Sequence, residues 1–268
     1  MGLLQISDPH FGTEVPQVVD ALTALVEELA PSLVVMSGDI TQRATEEQFR
    51  LAHEFLRRMP APAKLVVPGN HDIPLLNLAL RAYAPFARFS KAFGPELEPM
   101  HDDAQLLVVG VNTVMPIWHK QGAVSESQNE RICRLLRKGT PSQVRVVVCH
   151  HPVHVIRPED DKNLLRGAEE AVPRWVDAGA DLVLGGHIHL PYFRPLRQRF
   201  PDLPRRAWVA QAGTAVSSRI RSGICNSVNF VQPMASGAGV ACRVERWDFS
   251  ERLNAFRRIA AEDLALDR

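Results

Sequence analysis

The chain has 268 residues, a formal net charge of +1, 46% hydrophobic and 23% charged residues, the balance of a globular protein long enough to bury a substantial core. Near-neutral charge offers no broad electrostatic grip on a nucleic-acid polymer, and no apolar stretch reaches the roughly 20 residues that span a bilayer, so no membrane partner is expected. The four cysteines, Cys133, Cys149, Cys225 and Cys242, have neither disulfide-framework nor metal-finger spacing, and the stretch from Met1 to Asp8 lacks the features of a secretion signal. A cytoplasmic protein with reduced thiols is the expectation.

The chain begins with a short apolar run, Leu3 to Ile6, followed by a helical pattern from Val15 to Leu29 in which Val15, Val18, Val19, Leu22, Leu25, Val26 and Leu29 recur at three and four. Leu33 to Met36 reads as the next strand. Thr45 to Arg58 reads as a helix with Thr45 and Gln48 in capping-box spacing. Leu65 to Val67 leads into Pro68 and a polar block. From Pro74 to Gly94 the aromatics Tyr83, Phe86, Phe89 and Phe93 repeat at helical intervals, either as a face packed on the core or as a wall beside a site. Gln105 to Val111 is a strand, Ser125 and Gln128 open a helix ending near Gly139, and Val144 to Cys149 is a strand. Cys149 lies in that apolar run and reads as a small buried hydrophobe. Glu169 to Asp177 is a helix and Leu182 to Leu184 a strand. The Pro- and Arg-rich segment from Pro191 to Arg206 reads as a loop, either solvated or gripping phosphate through Arg194 or Arg197. Ala207 to Gln211, Ser227 to Val231 and Val240 to Trp247 then read as consecutive strands. Alternation first and strands later predict an α/β fold of two packed sheets. With no repeat or linker, one domain over residues 1–268 is expected, with 74–94 and 191–206 as possible active-site walls.

Five polar blocks follow apolar runs in series: Asp8-Pro9-His10, Gly38-Asp39, Gly69-Asn70-His71-Asp72, His150-His151 and Gly186-His187-Ile188-His189. Their oxygen and imidazole donors suit transition-metal ions. Sites in open α/β sheets form beyond the carboxyl ends of strands, where these blocks fall. If the chain stays extended, Asp8 and His10 point the same way, as do His187 and His189. Asn70 can ligate through oxygen without adding charge.

This ordered set resembles the calcineurin-like metallophosphoesterase superfamily, whose pattern is D-x-H, GD, GNH-[D/E], H and GHxH; the pattern is complete here between Leu3 and about Thr214. On size and layout it is similar to bacterial cyclic-nucleotide phosphodiesterases. The resemblance implies a four-layer sandwich, two central mixed sheets with helices outside. It also implies two divalent or transition-metal ions (Mn, Fe, Zn or Co): Asp8, His10 and His189 on one, Asn70, His150 and His187 on the other, and Asp39 between them. His71 would be the non-ligand histidine that meets the phosphoryl group. Two cations about 3.5–4 Å apart can acidify a bridging water for in-line attack on phosphorus.

Around that set, Asp72 could orient His71 or serve as a plain turn residue. Trp118 and His119 lie in a long loop where substrate contacts are plausible. His151 reads as packing behind the ligands. His154 alternates with His150 and could lie at the site rim, although Pro152 breaks the simple strand geometry, and Arg43, Arg219 and Arg221 read as side chains able to reach a phosphate. The expected function is hydrolysis of a small phosphodiester such as a cyclic nucleotide. Nuclease, nucleotide pyrophosphatase and phosphomonoesterase activities are alternatives, and a non-catalytic protein-binding scaffold is the alternative of another class.

Overall fold

The structure, a computed structural model describing residues 2–118, 120–236 and 239–267, is built on two six-stranded sheets. The chain runs β1 (Leu3–Ile6), α1 (Pro16–Leu29), β2 (Leu33–Ser37), α2 (Glu46–Arg58) and β3 (Ala63–Val67), then α3 (Leu78–Tyr83), α4 (Ala87–Phe93), β4 (Met100–Asp102), β5 (Leu106–Val111), α5 (Glu126–Leu136) and β6 (Val144–Cys149). It continues through α6 (Ala168–Asp177), β7 (Leu182–Gly185), β8 (Tyr192–Pro195), β9 (Trp208–Gln211), β10 (Ser227–Ser236), β11 (Gly239–Ser250) and β12 (Ala255–Leu264). The first sheet has the order β12-β11-β10-β1-β2-β3 and the second β4-β5-β6-β7-β9-β8. In the first, β1, β2 and β3 are parallel and the C-terminal strands antiparallel. In the second, β5, β6, β7 and β9 are parallel between antiparallel edges β4 and β8.

Strand alternation makes the layers. Leu4 and Ile6 face α1 and α2, where Leu22, Val26, Phe49 and Phe55 complete one core. Leu3, on the opposite face, joins Leu33, Leu65, Val108, Val146 and Leu184 in a core shared by both sheets. A third core, with Val147, Val183 and Val209, packs under Ile132 of α5 and Trp175 of α6. Helix, sheet, sheet, helix is thus the layer order: the two packed sheets read from the strand pattern, in the sandwich that the family resemblance implies. Buried Gln5 bridges the sheets through the inner core: it donates to Ser37 Oγ and to Gly185 O, each at 3.0 Å, and accepts from Asn229 Nδ2 at 2.9 Å. All its bonds span strands, so the sheets are pinned in register without an orphaned amide.

Helix starts follow their sequence signals. Thr45 Oγ1 accepts from Gln48 N at 3.2 Å, and Ser125 and Gln128 form a reciprocal capping box. Three strands escaped the sequence reading. β4 is three residues long and β8 occupies the segment read as loop. β12 has a pattern with seven successive exposed positions, so it lacks the apolar alternation that marks a half-buried strand. The aromatics of 74–94 divide: Phe89 is buried against Phe49, Phe93 packs on both, and Tyr83 is exposed. Among the described residues, no helix is long and apolar enough to cross a membrane.

Candidate metal centre

The loops leaving β1, β2 and β3 supply Asp8, His10, Asp39, Asn70 and His71, and those leaving β6 and β7 supply His150, His187 and His189. Adjacent loops are zipped by main-chain bonds: Asp8 N to Gly38 O at 3.1 Å, His10 N to Asp39 O at 3.0 Å, Gly186 N to His150 O at 2.9 Å. A Cβ on Gly69 would lie 2.0 Å from Asp39 N, so only glycine lets the third loop close on the second. Five of the candidate ligands have left-handed backbone: Asp8 (φ 51°), His10 (45°), Asp39 (49°), His187 (72°) and His189 (53°). This corrects the extended-pair reasoning. Asp8 and His10 do converge, as do His187 and His189 with their respective partners, but through tight turns past the strand ends and not by alternation along an extended chain.

Two clusters result, Asp8, His10 and His189 in one and Asp39, His150 and His187 in the other, each with its donor atoms within 4.8 Å of one another. In the first, His189 Nε2 lies 3.2 Å from both Asp8 Oδ1 and His10 Nε2. In the second, His150 Nε2 lies 3.2 Å from Asp39 Oδ1 and from Asn70 Oδ1. Asp39 spans them: its other oxygen, Oδ2, is 3.8 Å from His10 Nε2.

The surrounding hydrogen bonds test whether these donors suit a cation. A carbonyl only accepts, so His150 Nδ1–H donates to Ser37 O (3.0 Å) and His189 Nδ1–H to Arg219 O (2.7 Å). Both Nε2 lone pairs are thereby turned into the cluster, the arrangement expected of metal-ligating imidazoles. Asp8 is fixed by Ser7 Oγ at 2.6 Å and His187 N at 3.0 Å, and His187 Nδ1 is a buried nitrogen with no hydrogen-bond partner. The donor set fits two borderline metal ions.

Titration behaviour agrees. Burial drives the Asp8 carboxyl up, but His189 and then His150 outweigh it and hold the group at about 2. Burial acts likewise on Asp39, yet His150, His71 and His10 keep it well below the usual range. Burial pushes His10 and His187 down to about 3. At His150 burial is overcome by Asp39 and Asp8, which raise it to about 9; a proton there occupies the place a cation would take.

His71 stands at the edge of both clusters. Its N–H donates to Asp39 Oδ1 at 2.7 Å, its ring meets His10 edge-on at 5.0 Å, and its Nδ1 bonds Gln42 O at 3.0 Å. It lines a cavity of about 360 Å³ together with Asp39, Asn70, His187, His189, Lys120, Asp160, Asn163, Arg219 and Arg221.

Other expectations are redistributed. Asp72 does not orient His71, a part taken by the Gln42 carbonyl. Its buried carboxylate accepts from Ile40 N (3.0 Å), Thr41 N (2.8 Å), Thr41 Oγ1 (2.9 Å) and Gly69 N (2.8 Å), tying the second loop to the third. Trp118 is 46% exposed beneath the Arg166 guanidinium and does not line the cavity. His119 lies outside the described residues. Arg194 is exposed on β8 and donates to Phe193 O. The other arginines of that segment are engaged elsewhere, Arg197 with Leu203 O, Arg199 with Glu169 and Arg205 with Asp181. No residue of 74–94 or 191–206 lines the cavity. His151 packs on His150 and His187 and bonds Thr113 Oγ1 at 2.7 Å. Burial pushes the Cys149 thiol up to about 12, which excludes a nucleophilic role. Lys120, Asp160 and Asn163 had no motif to mark them; Lys120 comes from a turn and the other two from the short 3-10 helix Pro158–Asn163.

Comparison with known proteins places this geometry. The chain is 27% identical over 202 residues to a probable glycerophosphodiester phosphodiesterase of Arcobacter nitrofigilis, covering 70% of this chain and 72% of that one. A dimetal phosphatase of Danio rerio shares its fold with a TM-score of 0.62 at 12% identity, covering 100% of this chain and 99% of the other. A purple acid phosphatase from yellow lupin (Lupinus luteus) seeds gives 0.72 at 10% identity over 98% of this chain; the present chain spans about half of that enzyme, 53%. The family model for calcineurin-like phosphoesterases matches residues 1–191, which include every candidate ligand, and the chain belongs to that family.

Proposed function

We propose that this chain hydrolyses a small phosphodiester, with a cyclic nucleotide as the leading substrate, using two transition-metal ions. Asp8, His10 and His189 would hold one ion, Asn70, His150 and His187 the other, and Asp39 both. The observation that carries this reading is Asp39, whose two carboxylate oxygens face different ligand clusters. Bound there, the ions would supply an acidified water as nucleophile and neutralise charge on the phosphoryl oxygens.

The protein's own residues would orient and protonate. His71 is held by Gln42 O through Nδ1–H, which leaves Nε2 toward the cavity; with a second proton on Nε2 the ring would be able to protonate the departing oxygen. Asp72 keeps the Asp39 and Asn70 loops in register. The cavity volume of about 360 Å³ is in the range of small-molecule sites, and with a net charge of +1 it supports a small ester over a nucleic-acid polymer. Cysteines that form no disulfide among the described residues, three of them buried, accord with a cytoplasmic enzyme, and residues 1–268 are read as one catalytic unit.

A glycerophosphodiester is the second reading, favoured by the name of the Arcobacter relative. The test is a Mn²⁺-reconstituted screen across 3′,5′- and 2′,3′-cyclic nucleotides, glycerophosphodiesters, nucleotide pyrophosphates, bis(p-nitrophenyl) phosphate and single-stranded DNA. Turnover of a cyclic nucleotide is the expected result. Processive DNA degradation without action on small diesters would make the chain a nuclease. No bound metal and no hydrolysis of any ester would make it a scaffold.

A further inference from the structure

The geometry points to Arg219 as a direct contact of the transferring phosphoryl group beside His71, an assignment that rests on the phosphoesterase reading above. Arg219 lies between β9 and β10, in a loop fixed from several sides. Its N–H donates to Ser217 Oγ at 3.0 Å, and its carbonyl accepts from Thr214 Oγ1 at 3.3 Å and from the candidate ligand His189 at 2.7 Å. Asn226 Nδ2 braces the same turn through Ser217 O at 2.8 Å. A guanidinium on so constrained a backbone loses little freedom when it meets a ligand.

Its side chain enters the cavity with its charge unneutralised. Nη1 donates to Gln42 Oε1 at 2.8 Å and lies 3.4 Å from His71 Nε2. Gln42 therefore holds both groups, the imidazole through its carbonyl and the guanidinium through its amide. Nη1 and Nε2 are close enough for one phosphoryl oxygen to lie within reach of both. Among the described residues no carboxylate forms an ion pair with Arg219. Arg221, which also lines the cavity, contrasts with it: Asp160 binds it at 2.9 Å and Glu159 at 3.3 Å. Of the two arginines, only Arg219 keeps a cation available to an anion.

Attack by hydroxide adds a negative charge to the phosphoryl group, so a fixed guanidinium gains most as that charge develops and acts mainly on kcat. A lysine would bring charge without the forked donors. His189 is gripped by the Arg219 carbonyl, not its side chain, so truncating the side chain should leave metal binding intact.

Arg219→Ala and Arg219→Lys, loaded with Mn²⁺, should each keep two metals per chain by elemental analysis. Arg219→Ala should hydrolyse bis(p-nitrophenyl) phosphate with kcat lowered about 10²–10³-fold and KM changed less. Added guanidinium should restore part of that loss in Arg219→Ala and none in wild type. Inorganic phosphate, titrated calorimetrically into the Mn²⁺-loaded proteins, should bind Arg219→Ala at least about tenfold more weakly. Wild-type kcat with wild-type phosphate affinity in Arg219→Ala would overturn the assignment, as would loss of a metal, or a rate loss that guanidinium does not rescue. If wild type hydrolyses no ester at all, the phosphoesterase reading fails, and the phosphate titration still decides whether Arg219 contacts a phosphoryl group.

Discussion

Asp72→Asn separates the fold's needs from the metal centre's. Four donors meet the Asp72 carboxylate and favour its ionised form, whereas burial and then the Asp39 charge oppose ionisation and push the group up to about 7. In metal-free protein the opposing effects win at neutral pH. A folded-state value raised above the unfolded one means that the group's stabilising contribution is present at low pH and lost as pH rises through about 7. The full loss is on the order of 4 kcal/mol. An asparagine has no proton to lose, so the stability of metal-free Asp72→Asn should stay level between pH 4 and pH 8, where wild type declines by up to about 4 kcal/mol, and should be lowered at every pH by an amide NH2 that faces backbone N–H donors. Cations beside Asp39 remove its repulsion and return Asp72 to the anion that four donors satisfy. Asp72→Asn should then bind Mn²⁺ about tenfold or more weakly, although the residue touches no metal. Urea unfolding in chelator at several pH values and calorimetric Mn²⁺ titration read the two effects. A variant whose stability declines between pH 4 and pH 8 as wild type's does, or one with unchanged Mn²⁺ affinity, would refute the reasoning.

Asp39→Ala should lose more than one equivalent of metal and all turnover, whereas Asp8→Ala should chiefly weaken one site; two retained metals in Asp39→Ala, by elemental analysis, would remove the bridge. His71→Ala should keep both metals but slow a cyclic nucleotide about 10²–10⁴-fold, and a p-nitrophenyl ester far less, since p-nitrophenolate departs without a proton. Equal losses on both esters would assign His71 to the phosphoryl oxygens instead. Burial, with help from Arg199 and Arg194, pushes His154 down to about 4; a depressed histidine stabilises fully above its unfolded value and loses that contribution as pH falls from about 6.5 toward 4. His154→Leu should therefore show a shallower decline of its urea midpoint across that window, by up to about 3 kcal/mol, and parallel profiles would show that His154 does not control the acid limb.

What the sequence disclosed followed the physics of each signal. The buried strands β2, β5 and β7 are almost wholly apolar, β1 and β6 are apolar apart from Gln5 and Arg145, and α1 has its apolar residues at three and four, so their places are readable to within a few residues. The ligand blocks were readable because the chemistry demands particular side chains in a particular order. Backbone geometry was not: nothing in Asp8-Pro9-His10 distinguishes an extended pair from two left-handed residues, and alternation led to the right neighbours by the wrong path. β12 could not be seen because its exposed positions carry no apolar alternation. Arg219 stood out no more than Arg43 or Arg221 until the loop after β9 was placed, since its role depends on Gln42, 177 positions away. For Asp72 the sequence leaves a partner of His71 and a plain turn residue as equal readings, because a chain neighbour is visible in sequence and the amides of Ile40 and Thr41 are not.

The division of ligands between the sheets bears on how the molecule assembles. The second sheet is made by one continuous stretch, Met100 to Gln211, whereas the first needs β1 to pair with β10, Leu3 against Val231. Long-range pairing of this kind forms slowly, because loop closure precedes its reward. His150, His187 and His189 can thus be in place while the first sheet, which carries Asp8, Asp39 and Asn70, still waits for β10 to close on β1. Until the sheets dock across Gln5, neither cluster has its bridging neighbour, and a metal ion meets only scattered imidazoles. Metal supply then acts at the last stage of maturation, as a clasp between finished halves, and a chelator added during refolding should arrest the chain after its second sheet is protected from hydrogen exchange and before its first is.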